Sequence, residues 1–161
     1  MNVIAHLLAP GAGIPNHPTW PLLIYAAAVK TATPEAFEEL FTRNQWPAAW
    51  RNGVHPFHHF HSNGHEALGI YGGEVTVQFG GDRGITVTAK PGDVIVLPAG
   101  TGHKRLSSKG ALGVVGAYPD GQHPDTCRPG KNKLAAITRV PLPACDPVYG
   151  AGGPLFSHWR K

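Results

Sequence analysis

The sequence predicts an all-β fold, a barrel or sandwich with one helix before it. Short apolar stretches recur between turn signals from residue 54 to about residue 120, the spacing of strands in such folds. Glycine and proline are abundant, at 21 and 16 in 161 residues, so the chain turns often. Only one segment, 33–44, reads as a convincing helix. The length supports one domain with its own core. We divide it into an N-terminal arm and helix (1–49), a barrel core (about 50–120) and a C-terminal arm (121–161).

Residues 1–30 read as an arm. Within it "PLLIYAAAV" (21–29) is apolar enough for an edge strand or a short buried segment. In "TPEAFEELFTRN", Thr33 is placed to cap the helix and Pro34 suits its first position. Phe37, Leu40 and Phe41 share one face. Trp46 and Trp50 then read as packing residues. "EALGIYGGEVTVQFGG" reads as two strands broken at Gly72–Gly73. "GITVTAKPGDVIVLPAG" reads as two more, broken between Lys90 and Asp93, and "GALGVVGAYPDG" as another. The tail, rich in proline and glycine, is expected to wrap the barrel or a partner with little regular structure.

Composition narrows the function. Apolar residues make up 42% and charged residues 15%, as in a globule and unlike a disordered chain. The net charge is +4, but the basic residues are scattered. The loose group Arg128, Lys131, Lys133 and Arg139 lies among turn residues without aromatic platforms, so no nucleic acid is expected. The start lacks a basic leader, and no run reaches the roughly 18 apolar residues of a membrane span. The two cysteines, Cys127 and Cys145, form no CxxC pair and read as reduced thiols. We therefore expect a cytoplasmic protein with no membrane partner.

The stretch "HHFHSNGHE" (58–66) holds four of the ten histidines. On a strand, His59 and His61 point to one face and Phe60 to the other. "SNG" turns the chain, and Glu66 opens the next strand facing back toward the same point. His103 follows "LPAGTG". Three imidazoles and a carboxylate suit a divalent transition metal: Fe, Mn, Zn, Ni or Cu. By periodicity alone, a histidine-rich surface turn remains the competing reading.

The spacing is more specific. Residues 53–73 read G-x5-H-x-H-x4-E-x6-G, and residues 92–103 read G-x5-P-x-G-x2-H. These resemble the two signature motifs of the cupin superfamily. The family pattern continues to an Asn four residues after the last histidine; Ser107 stands there. "GIPNHPTWPLLIY", "WRNGV", "GDVIVLPAGTGHK" and "VPLPACDPVYGAGGPLF" extend the likeness to the YjlB-like group of small bacterial cupins. The resemblance implies a double-stranded β-helix, the jelly-roll barrel. It assigns one divalent metal to His59, His61, Glu66 and His103. It also implies a homodimer.

Other residues carry weaker assignments. His65 is a substitute ligand, an acid or base behind the ligands, or more simply an outward-pointing turn histidine. His55 and His58 read as structural or exposed, with His58 facing away from His59. Gln78, Tyr71, Lys104 and Tyr118 are candidates for contact with a substrate or the metal's water. Asn63 shapes the turn, and Cys127 is a packed thiol. The resemblance implies a metal-dependent enzyme acting on a small organic molecule, dioxygenase-like in preference to isomerase or lyase. The alternative is a non-catalytic metal- or metabolite-binding sensor.

Overall fold

The computed structural model of the protein describes residues 2–160. Its elements are β1 (Val3–His6), β2 (Leu22–Tyr25), α1 (Pro34–Arg43), β3 (Ala48–Arg51), β4 (Glu66–Phe79), β5 (Ile85–Ala89), β6 (Val94–Leu97), β7 (His103–Ala117), α2 (Leu134–Arg139) and α3 (Leu155–His158). All strand pairs are antiparallel. The strand order is β1-β2-β6-β4-β7-β3, with β5 also pairing β4. The sheet curls into a half-barrel, the all-β jelly-roll form expected.

Curvature comes from β4 and β7, which pair along nearly their whole lengths. The register shifts between Ile70 and Glu74, opposite Lys109–Gly113. Gly73 sits there at φ +67°, and a Cβ would meet the Lys109 carbonyl oxygen at 2.6 Å. The Gly72–Gly73 pair expected to separate two strands instead bends one, because glycine tolerates the bulge without ending the ladder. The last strand is likewise longer than expected and begins at His103.

Side chains alternate across the sheet. Ala67, Val94, Val96, Val115 and Ala117 face outward onto Phe37, Phe41, Trp46, Leu155 and Trp159. Leu68, Ile70, Val77, Phe79, Ile95 and Leu97 face the barrel interior. The helix is capped as the sequence predicts: Thr33 Oγ1 accepts the Ala36 N–H at 3.1 Å. Phe37 packs so closely over the sheet that a Cβ on Gly69 would lie 2.4 Å from its ring. A bare backbone in a strand interior marks such an approach. Each fully buried phenylalanine here contributes roughly 1.5–3 kcal/mol of transfer free energy.

The N-terminal arm is not loose. It supplies β1 and β2, and β2 lies between β1 and β6, not at an edge. The C-terminal segment also packs on its own chain. Trp159 is 1% exposed, and its Nε1–H donates to the Pro21 carbonyl at 2.8 Å. Fully buried Asp146 accepts hydrogen bonds from Tyr25 Oη–H (2.6 Å) and from the N–H groups of Val148, Tyr149 and Leu155. The segment "DPVYGAGGPL" is thereby knotted onto β2.

Candidate metal centre

His59 forms a bridge to His103, and Phe60 to Cys127, so residues 59–61 are extended although they make only isolated bridges. The alternation expected of a strand therefore holds. His59 and His61 point inward, and Phe60 is wholly buried in a separate cluster with Ile14 and Ile137. His58 faces away and pairs with exposed Asp82 at 2.8 Å. Glu66 enters the interior on the same face of β4 as Leu68 and Ile70. His103 lies opposite Phe79 at the start of β7.

The three imidazoles converge, with one nitrogen from each lying within 4.8 Å of the others. Glu66 Oε1 is 3.3 Å from both His61 Nε2 and His103 Nε2. Each Nδ1 faces a backbone carbonyl: Phe57 for His59 at 3.0 Å, Thr101 for His103 at 3.0 Å, and Asp125 for His61. A carbonyl only accepts, so each Nδ1 carries the proton and each Nε2 is left for the centre. Outer hydrogen bonds of this type fix histidine tautomers at metal sites.

Three Nε2 atoms and a carboxylate are buried together here, and the carboxylate favours positive charge among them. Burial opposes protonation of His61, yet the Glu66 charge carries its pKa above the ordinary value. Burial would raise the Glu66 pKa, but His61 and His103 override it and hold the carboxyl well below the usual carboxylate range. Burial, helped by His103, pushes His59 down to about 3. A divalent cation bonded at about 2.0–2.1 Å sets neighbouring donors roughly 3.3 Å apart in a tetrahedron, as Glu66 stands to two of the rings. The donor set fits a metal ion.

A cavity of about 240 Å³ opens onto this cluster. Its walls include Trp50, Asn52, Val54, Leu68, Tyr118 and Thr126. Tyr118 was expected near the site and is there. It accepts the Trp50 Nε1–H at 3.0 Å. Burial, then the Glu66 charge, push its phenol up to about 12. Trp50 packs against the inner cluster, as expected of it, and forms part of the cavity wall as well. Asn52 stands at φ +126°, a strained conformation at the cavity rim. His55 also lines the cavity and stacks on Phe57 at 4.7 Å. No spacing in the sequence marks Asn52 or Thr126.

The other candidates lie elsewhere. Gln78 donates to the Asp82 carbonyl at 3.2 Å, away from the cavity. Tyr71 covers Gly113 on the outer face. Lys104 is half-buried and outside the cavity wall. Asn63 bonds the 123–125 segment, as befits a turn residue. Cys127 is buried, and burial, with the neighbouring Asp125 carboxylate, pushes its thiol up.

His65 is neither an outward-pointing turn residue nor a member of the converging group. It is fully buried, donating Nε2–H to the Pro141 carbonyl (3.0 Å) and accepting the Ala99 N–H at Nδ1 (2.9 Å). The Ala99 bond ties the residue before Glu66 to the loop leading to His103, and the Pro141 bond ties it to the segment after α2. Its ring packs against Trp20 and Trp159, which stack on each other, and Trp20 stacks on His17 as well. Sequence neighbours distant by more than 30 positions make this pocket, so a local reading leaves it exposed.

His17 gives a pH prediction. Its Nδ1 accepts the Trp20 N–H at 2.9 Å, and burial lowers its pKa to about 4. The unfolded chain takes up a proton near 6.5, and the native state does not until about 4. Stability is therefore full above 6.5 and falls with the pH between those values, by about 1.4 kcal/mol per pH unit for this one group. Thermal melts of wild type and His17→Asn at pH 7 and pH 5 check it. The variant is expected to lose less stability on acidification; equal losses refute it.

The curled antiparallel sheet carries the histidines and the glutamate inward, the arrangement that the resemblance in the sequence implies. No family model matches the chain. The uncharacterized protein YjlB of Bacillus subtilis (strain 168) is 43% identical over 152 residues, covering 92% of this chain and 91% of the relative. The chain belongs to the YjlB family. A crystal structure of a DUF861 family protein from Thermotoga maritima aligns at a TM-score of 0.36 and 24% identity, over 59% of this chain and 96% of that one.

Proposed function

We propose that the protein is a metal-dependent enzyme acting on a small organic molecule, with His59, His61, His103 and Glu66 as metal ligands. One observation carries this: three imidazoles, each with Nδ1–H bonded to a carbonyl, turn their Nε2 atoms toward a buried carboxylate at the end of a cavity. A bound divalent ion supplies Lewis acidity there and, if it is iron, redox chemistry. The cavity is below the roughly 300–1,000 Å³ of drug-sized ligand sites, so the substrate is small. Leu68 and Val54 give it an apolar wall, while Asn52 and Thr126 offer orienting polar groups. Tyr118 keeps its proton at neutral pH and stands beside Glu66, positioned to donate to a developing anion.

Among reaction classes we favour a dioxygenase-like oxidation over isomerase or lyase chemistry. The second reading, a sensor that binds a metal or metabolite without turnover, is served by the same small cavity. Anaerobic loading with Fe(II), then addition of a panel of small chelating carbonyl and phenolic compounds, separates them. Oxygen uptake with product formation supports the enzyme. Saturable binding without conversion of any compound supports the sensor.

We further propose that the partner is a second copy of the chain. Edge strand β1 and the residue after it leave Ile4 45% and Leu7 60% exposed, and no charged residue lies from Val3 to Ala9. No helix among the described residues is long and apolar enough to cross a membrane. The free thiols Cys127 and Cys145 support a cytoplasmic location.

A further inference from the structure

The three histidines are not held alike. His59 and His103 each bond the carbonyl two residues before them, Phe57 and Thr101, so their own local segments orient them. His61 instead bonds the carbonyl of Asp125, 64 residues away. Its orientation depends on where segment 122–127 sits. We propose that Asp125 is the positioning residue for His61, and that its carboxylate fixes the carbonyl that aims the ring.

The carboxylate of Asp125 holds both ends of that contact. Its Oδ1 accepts the Ser62 N–H at 2.7 Å, and its Oδ2 accepts the Ser62 hydroxyl at 2.5 Å and the Cys127 thiol at 3.3 Å. Ser62 follows His61 directly, so one side chain clamps the ligand's neighbour while the same residue's carbonyl clamps the ligand's ring. Weaker ties surround it. Asn63 Oδ1 accepts the Asp125 N–H at 2.8 Å, and Gln122 Oε1 accepts the His65 N–H at 2.9 Å. Phe60 and Cys127 exchange backbone hydrogen bonds at 2.9 and 2.8 Å. The turn lies so close that a Cβ on Gly64 would meet Pro124 at 2.6 Å. Segment 122–127 is thus a strap, and Asp125 is the member that touches a metal ligand. Thr126, the next residue, lines the cavity, so the strap also forms part of its wall.

This rests on the metal-site reading above, and the test separates the two. Wild type, Asp125→Ala, Asp125→Asn and Ser62→Ala are titrated with Co(II) against a chelator, and visible spectra are recorded at saturation. Asp82→Asn is the control, since it removes one carboxylate from the exposed pair with His58. Asp125→Ala is expected to weaken binding by about 10–100-fold, the usual cost of losing an outer partner of a metal-bound histidine. Asp125→Asn and Ser62→Ala each keep part of the clamp and are expected to fall between. The Co(II) spectrum of Asp125→Ala is expected to shift, which mere loosening far from the metal would not cause. Should Asp125→Ala fail to fold, Asp125→Asn and Ser62→Ala decide the question. Wild-type affinity and an unchanged spectrum in the folded Asp125 and Ser62 variants overturn the assignment alone. An equal loss in Asp82→Asn also overturns it, because charge and not position would then be the cause. A wild-type protein that takes up no Co(II) overturns it together with the metal site.

Discussion

His61→Ala and His103→Ala are each expected to abolish retention of a divalent transition metal while leaving a folded protein. Each removes one of the two rings within 3.3 Å of Glu66 Oε1. The loss in affinity is expected to exceed the roughly 10–100-fold cost of removing an outer hydrogen-bonding partner, because a bonded donor is gone. The fold survives because the site lies at one end of the interior. The outer cluster of Phe37, Phe41, Trp46 and Trp159 and the inner cluster of Ile70, Val77 and Phe79 contain neither histidine. Isothermal titration beside far-ultraviolet circular dichroism makes the check. Undiminished metal binding in both variants refutes the ligand assignment.

Asp146→Ala is expected to be the most damaging single change to stability among positions outside the helices and strands. The carboxylate is fully buried and accepts four hydrogen bonds, one from Tyr25 Oη–H and three from backbone N–H groups. Each buried donor left without an acceptor costs about 1–3 kcal/mol, and three of these four bonds are buried, so the loss is at least about 3 kcal/mol. Domains are stable by only about 5–15 kcal/mol in total. For a chain of this size the melting temperature is expected to fall by at least roughly 6–12 °C. Asp146→Asn keeps the bonds to Val148 and Tyr149 but turns an amide donor toward Tyr25 or Leu155, and is expected to fall in between. A melting temperature unchanged in Asp146→Ala contradicts this role.

Much of the fold and site was legible because it is local. Strand alternation turns His59, His61 and Glu66 inward, and the capping and apolar face of α1 follow from Thr33, Pro34, Phe37 and Phe41 alone. What was not legible depends on long-range contact. The bend at Gly72–Gly73 needs the opposing carbonyl of Lys109 to explain it. The burial of His65 needs Trp20, Trp159, Ala99 and Pro141. Trp50 reads as packing from sequence because only its distance to Tyr118 places it at the cavity. Asp125 carries no spacing signal, since its importance arises from a contact with His61 that spans 64 positions.

The most direct test of the metal centre is elemental mass spectrometry on the untagged protein as purified, beside the His59→Ala/His61→Ala variant. About one iron, manganese, nickel, copper or zinc ion per chain, lost in the folded variant, is the expected result. Wild-type protein free of these metals after growth in media supplemented with each, or equal metal in the variant, contradicts it.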